Sequence, residues 1–221
     1  MDAKVYLERI EPVNKNLGLI LLTMIWIAAV GVGFRQMYNY EYKTGSAVQE
    51  ANQWPAGTDI LPNKHLYRLV MVAHPKCPCT RASIGELELI MAKGQGRVDA
   101  YVLFIKPDEV DEHWVETDLF NRVAQIPGVH VIVDQDAQEA QLFGATTSGQ
   151  TFLYDQQGKL LFSGGITASR GHSGDNVGRA TITALIHGQQ PTVKHTPFFG
   201  CLLKNAGQVS NRLTQGADHG R

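Results

Sequence analysis

Two cysteines one residue apart, Cys77-Pro78-Cys79, follow His74-Pro75-Lys76 in this 221-residue chain. They lie where a β-prone run, Tyr67 to Ala73 (YRLVMVA), gives way to a stretch with Ile84, Leu87, Ile90 and Met91 at helical spacing. Sulfurs at such a junction face the unpaired N–H groups and the positive end of a helix dipole. Lys76 and His74 add positive charge. All of this favours thiolate over thiol, and the thiolate is the reactive species. Cys77 is therefore expected to be the more reactive thiol, with Cys79 as its partner. Ordinary core cysteines seldom come as two in three residues beside a proline turn. The third cysteine, Cys201, lies in Thr196-Pro197-Phe198-Phe199-Gly200-Cys201. It either returns to the turn, as a resolving thiol or a third ligand, or is a tail cysteine packed by its Phe neighbours. Both readings stay open.

A second chemistry suits the same sulfurs. Thiolates with an imidazole favour Cu(I) or Zn(II), and Cys77, Cys79, Cys201 and His172 form the candidate ligand set. His172 shares a Gly-rich stretch, Gly164 to Arg179, with Arg170 and Asp175. That stretch lacks the Gly-Lys-Ser/Thr ending of a phosphate loop, so nucleotide binding is not expected. As a plain surface loop it would serve to bring Asp175 to a helix start. His113, His130, His187 and His195 are scattered and read as surface residues; Asp108, Glu109, Asp111 and Glu112 read as a solvated first helical turn. Lys and Arg total 20 against 21 for Asp and Glu. With no basic excess to release counterions, nucleic acid is excluded as an expected partner. Three cysteines are too few for a disulfide scaffold.

The elements that position this chemistry begin with an anchor. Leu17 to Phe34 contains no charged residue and is apolar all round, unlike a core helix with one polar face. Eighteen residues at 1.5 Å each nearly match a hydrocarbon core of about 30 Å. Lys15 and Arg35 bracket the run, and Tyr38, Tyr40 and Tyr42 follow as interfacial anchors. Ala29-Val30-Gly31 would pass as a cleavage site, but Asp2, Glu8 and Glu11 offset the basic residues before the run, unlike a secretory signal. The expected organisation is a cytoplasmic stub (1–16), a transmembrane anchor (17–34), a tether (35–64), a folded domain (65–188) and an irregular tail (189–221) carrying Cys201. The weak basic bias before the anchor places the domain outside the cytoplasm, on the inner membrane, where thiol–disulfide chemistry is common.

Beyond the cysteine turn, the helix is expected over 80–93, with Thr80 or Ser83 as cap and Gly94 and Gly96 as its end. A second strand follows over 98–105, a helix from Pro107 to about Ile126, a third strand over 129–133 and a short helix over 137–143. Asp155-Gln156-Gln157-Gly158 turns a hairpin between 151–154 and 159–163, and Asp175 caps a last helix over 176–187. Strands alternating with helices, closed by a hairpin, give an α/β mixed sheet.

In this order, the cysteine-bearing turn and VHVIVDQDAQEAQLFGATTSGQTFLYDQQGKLLFSGG resemble the thioredoxin-like superfamily, in its membrane-tethered thiol-oxidoreductase and peroxiredoxin-like branch. The shared features are an acidic strand end (Asp134), the pair Phe143-Gly144, a strand ending in Asp155 and the turn Gly158. More narrowly, HPKCPCTRAS, TSGQTFLYD, GGITASRGHSGDN and TPFFGC resemble the bacterial RedB proteins. The resemblance implies a thioredoxin-like mixed sheet flanked by helices, with the active turn carrying Cys77 as nucleophile and Cys79 as its resolver. It departs from the family in two places. The spacing is Cys-x-Cys rather than Cys-x-x-Cys, and a disulfide across one residue closes a small, strained, easily reduced ring. Ser148-Gly149-Gln150 stand where the family carries a cis-proline, in a loop that normally contacts the substrate backbone and keeps metals off the cysteines. The family's peroxidatic motif places Thr three residues before the reactive cysteine; His74 and Lys76 occupy those positions, which counts against peroxidase activity.

The function expected is a membrane-anchored thiol–disulfide oxidoreductase acting on a protein or small-thiol partner, with Cys77 and Cys79 catalytic. His74, Pro78, Ser148, Gly149 and Gln150 form the surrounding loops, and no cofactor is required. The alternatives are a copper- or zinc-binding delivery module and a non-catalytic interaction domain.

Overall fold

In a computed structural model of the chain, the described residues are 3–45 and 49–203. They divide into two compact units, Met1–Tyr42 and Lys43–Arg221. The first contains one helix, α1, Ala3–Glu41. Its segment Asn16–Glu41 is long and apolar enough to cross a membrane, with a mean hydropathy of 2.4. Leu22, Ile25 and Trp26 are all exposed, as side chains suited to lipid would be.

In the second unit a five-stranded sheet has the order β3-β2-β1-β4-β5. β1 (Tyr67–Ala73), β2 (Val98–Lys106) and β3 (Val129–Gln135) run parallel. β4 (Gln150–Tyr154) pairs antiparallel with β1, and β5 (Leu160–Gly165) antiparallel with β4. The connecting helices are α2 (Pro78–Gly94), α3 (Asp118–Ala124), α4 (Gln138–Leu142) and α5 (Val177–Ile186). From Leu69 to Ala73, β1 is apolar because helices and loops cover both of its faces. Its pleat sends Leu69 and Met71 towards Ile84, Leu87, Ile90 and Ile182, and Val70 and Val72 towards Phe143, Phe152 and Tyr154. Residues of this kind, buried completely, each contribute about 1.5–3 kcal/mol, so β1 and the inner face of α2 are fixed from both sides.

The structure departs from the sequence expectation at several joints. The helix expected from Pro107 to Ile126 is a short 3₁₀ turn, Glu112–Val115, followed by α3. Thr117 interrupts it by adopting extended backbone and accepting the Phe120 N–H on its hydroxyl. The last helix is capped by Asn176, whose Oδ1 accepts the Arg179 N–H, while Asp175 ion-pairs with the Arg179 guanidinium. Neither Thr80 nor Ser83 caps α2, because the helix starts at Pro78 with Cys77 in the cap position. Proline there is preorganised for helix and lacks only an N–H that would be unpaired anyway.

The expected tether and tail both pack on the sheet. Trp54 lies edge-on to Phe143 and Tyr154, and Gln53 bridges Lys159. In the tail, Phe198 and Phe199 are buried, and Ser163 exchanges backbone hydrogen bonds with Lys194 and Thr196. Gly164, at φ +140°, has no room for a Cβ because the Thr196 backbone lies against it. The domain thus continues past residue 188, because two apolar side chains and a glycine-made seat hold the tail down. Residues from 204 onward lie outside the described part.

Glu86 joins the helical layer to the Gly-rich loop. It is buried on α2 and accepts from Gly174 N at 2.7 Å, Asn176 Nδ2 at 3.2 Å and Arg179 Nη1 at 2.8 Å. Removing the carboxylate strands these donors and a largely buried guanidinium. Glu86→Ala is expected to destabilise the domain by about 3–5 kcal/mol, read as a lowered midpoint in denaturant unfolding of the detergent-solubilised full chain. A loss below about 1 kcal/mol, the size of an exposed pair, would show that the cluster is not a structural joint.

Candidate functional site

The cysteine turn leaves β1 at Ala73 and enters α2 at Pro78. The Cys77 N–H donates to His74 O at 3.1 Å, and Thr80 closes the turn by donating from N to Cys77 O and from Oγ1 to His74 O. Cys77 takes the cap position with extended backbone, φ −91° and ψ 123°. Its sulfur makes no regular capping hydrogen bond, so the first amides of α2 act on it through their dipoles.

The Cys77 thiol is driven from 9.0 down to about 4, first by the Cys79 thiol that donates towards it, against the opposing effect of burial, then by the Cys201 thiol and the Thr80 and Cys79 amides. The cost falls on its neighbours. Cys79 is pushed far up, chiefly by donating to Cys77 and by burial. Cys201 is raised to about 11 by burial, then by its hydrogen bond to Cys77 and the Cys77 charge. These shifts favour ionisation at Cys77 over ionisation at either neighbour.

Cys77 Sγ and Cys201 Sγ lie 3.0 Å apart across 124 residues of chain. The tail brings Cys201 there by pairing its backbone with the loop before β4. Ser148 N–H donates to Cys201 O at 2.9 Å, Leu203 N–H donates to Thr146 O at 3.0 Å, and Thr147 bridges Leu202. Gly200 is required at this approach, because a Cβ there would overlap Ser148 O. None of the three cysteines is in a disulfide, and Cys77 is only 1% exposed.

The remaining residues singled out from the sequence divide into those at the turn and those away from it. Ser148 Oγ accepts the His74 N–H at 3.0 Å and pairs with Thr80 Oγ1 at 2.9 Å. Gly149 N–H donates to Val72 O, and Gln150 Oε1 accepts from Thr146 N. The loop at 148–150 is thus bonded to both the cysteine turn and the tail. Pro78 is exposed at the helix start. His74 accepts the Lys76 N–H on Nδ1, and its pKa is lowered mainly by burial, with the Cys77 charge opposing and Lys76 assisting. His172 instead pairs through Nδ1 with Ser169 Oγ and the Arg170 carbonyl. Among the described residues no group of three or more His, Cys, Asp or Glu is arranged to hold a metal ion.

Two residues acquire a place at the site that the sequence did not indicate. Trp114 stands over the turn, edge-on to the His74 ring and 5.0 Å beneath Lys76 Nζ. Arg170 reaches the tail, donating from Nη1 to Gly200 O at 2.8 Å. Neither contact has a local signature, because both join segments distant in the chain.

No family model and no curated protein matches the sequence. Solved structures are similar in fold. A hypothetical protein from Sinorhizobium meliloti 1021 is 21% identical, with a TM-score of 0.52 over 75% of this chain and 96% of its own. An uncharacterized conserved protein from Geobacillus kaustophilus is 16% identical, with a TM-score of 0.52 over 74% of this chain and 93% of its own. The exposed lipoprotein thioredoxin Etrx1 from Streptococcus pneumoniae strain TIGR4 is 12% identical, with a TM-score of 0.39 over 57% of this chain and 86% of its own. With β1 central, β4 antiparallel to it, β5 antiparallel to β4 and the cysteine turn feeding α2, the fold is a thioredoxin-like mixed sheet flanked by helices, preceded by one apolar helix able to cross a membrane.

Proposed function

We propose that the chain is a membrane-anchored thiol–disulfide oxidoreductase that acts outside the cytoplasm on a protein or small-thiol partner. The observation that carries this reading is a cysteine at a helix start, Cys77, with a second cysteine sulfur, that of Cys201, 3.0 Å from it. Cys77 attacks a partner disulfide, forms a mixed disulfide and releases one partner sulfur as thiolate. Cys201 then loses its proton to solvent and attacks Cys77 Sγ, which closes the Cys77–Cys201 disulfide and expels the second partner thiolate. The tail supplies a resolving sulfur free of the small-ring strain of a Cys77–Cys79 bond. Cys79 stabilises the Cys77 thiolate by hydrogen bonding. The motifs HPKCPCTRAS and TPFFGC, which carry the likeness to RedB proteins, are the two segments that meet at this contact.

The charge assignment is tested by thiolate absorbance during acid titration of the reduced full chain in detergent. One thiolate is expected to protonate near pH 4 and to be missing in Cys77→Ser. Cys79→Ala, which removes the largest cause of the depression, moves that transition upward. A Cys77 that titrates like a free thiol would defeat the reading.

Function is tested by turnover of a model disulfide, with copper and zinc measured in the same preparation. Cys77→Ser abolishes turnover. Cys201→Ser lowers it by about tenfold or more, because an intramolecular thiol at high effective concentration is lost, while Cys79→Ser retains it. Stoichiometric metal without turnover would replace this function with metal binding through the same sulfurs. For topology, a membrane-impermeant thiol reagent on intact cells should label a cysteine placed in the exposed 189–195 segment; labelling only after lysis would invert the orientation.

A further inference from the structure

Arg170 comes from the Gly-rich stretch, which the proposed chemistry leaves without a role. The residue is half-buried. Its Nη1 donates to the Gly200 carbonyl at 2.8 Å and its Nη2 to the Lys43 carbonyl at 3.5 Å. Gly200 immediately precedes Cys201, so this guanidinium holds the peptide that carries the resolving sulfur. Gly45 N–H donates to Phe198 O at 2.9 Å, which ties the same stretch of tail to the segment around Lys43. On its other side the tail hydrogen-bonds to Thr146 and Ser148. The segment is therefore clamped between one side chain and one loop.

The clamp has two opposed effects. It keeps Cys201 on Cys77, as the second step requires. It also buries Cys77 to 1% exposure, and a partner disulfide needs a clear line to that sulfur for the first step. The same contact that speeds resolution thus hinders entry.

We propose that Arg170 is a positioning residue of this site: through the Gly200 carbonyl it holds the tail closed over Cys77, and release of that hold is what admits the partner disulfide. The inference rests on the oxidoreductase reading above. It predicts that loosening the clamp changes the two steps in opposite directions, which damage to the fold would not do.

The test is a single turnover of the reduced full chain in detergent with one equivalent of the chromogenic disulfide dithiobis-nitrobenzoate. The Cys77 thiolate displaces the first aromatic thiolate and leaves the mixed disulfide. The Cys201 thiolate displaces the second and leaves the Cys77–Cys201 disulfide. Two protein thiols are oxidised and one disulfide is reduced. In Arg170→Gln the first release is expected to quicken by a few-fold and the second to slow by about tenfold, as effective concentration falls. The Cys77–Cys201 couple then becomes more oxidising against glutathione by about 30 mV for that tenfold change. Gly200→Ala, whose new Cβ would overlap Ser148 O, is expected to show the same crossing without altering Arg170. Unchanged rates, or both rates falling together in both variants, would overturn the role of Arg170 while leaving the oxidoreductase reading intact. Absence of the first release in the unsubstituted protein would instead remove that reading, and this one with it.

Discussion

Three sulfurs share one small, half-dry space, and near neutral pH only one negative charge can be kept there. Charge on Cys77 is favoured by the start of α2 and by two neighbouring thiols that can donate to it. The rest of the domain serves this choice. β1 must end at Ala73 for the turn to reach the helix axis, and Pro78 must open the helix so that Cys77, and not an ordinary capping residue, lies at its end. A Ser or Asp there would satisfy the amides more fully and would forfeit the chemistry.

That charge is mobile in the proposed cycle. While Cys77 is a thiolate, it raises the Cys201 thiol and keeps it protonated. Once Cys77 enters a disulfide its charge is gone, and the largest obstacle left to ionising Cys201 is burial. The positive charge of Arg170 beside both Cys79 and Cys201 acts throughout in the opposite sense. The order of the two nucleophiles thus follows from electrostatics, with no need for a moving part beyond the tail.

Much of this was legible in the sequence. β1, the start of α2 and the β4–β5 hairpin announce themselves through apolar runs, helical spacing and the turn at Asp155–Gly158. The reactive turn was legible for the same reason: cysteine and proline at a strand–helix junction are a local pattern. The Cys77–Cys201 contact was not, because it depends on long-range pairing between the tail and residues 146–148. Indirect signals existed in Gly164-Gly165, at the end of β5, and in Gly200 beside the cysteine. A glycine inside a strand often marks a second backbone passing close by, and here Thr196, Pro197 and Ser148 pass those positions. The helix expected across 107–126 failed for a different reason, since Thr117 offered the backbone an alternative partner stronger than helix continuation.

The position of the tail in the chain also bears on how the protein matures. Synthesis proceeds from the amino end, so the turn at Cys77 emerges 124 residues ahead of Cys201. The core elements through α5 are all encoded before the tail. In an oxidising compartment, the newly emerged turn therefore meets its surroundings uncovered, with Cys79 as the sole sulfur of its own chain within reach. Any bond formed at that stage, internal or with a foreign thiol, must be exchanged before Cys201 can settle on Cys77. If the domain is exported as proposed, such early bonds would give its maturation a reshuffling step set by the thiol pool met between the turn and the tail.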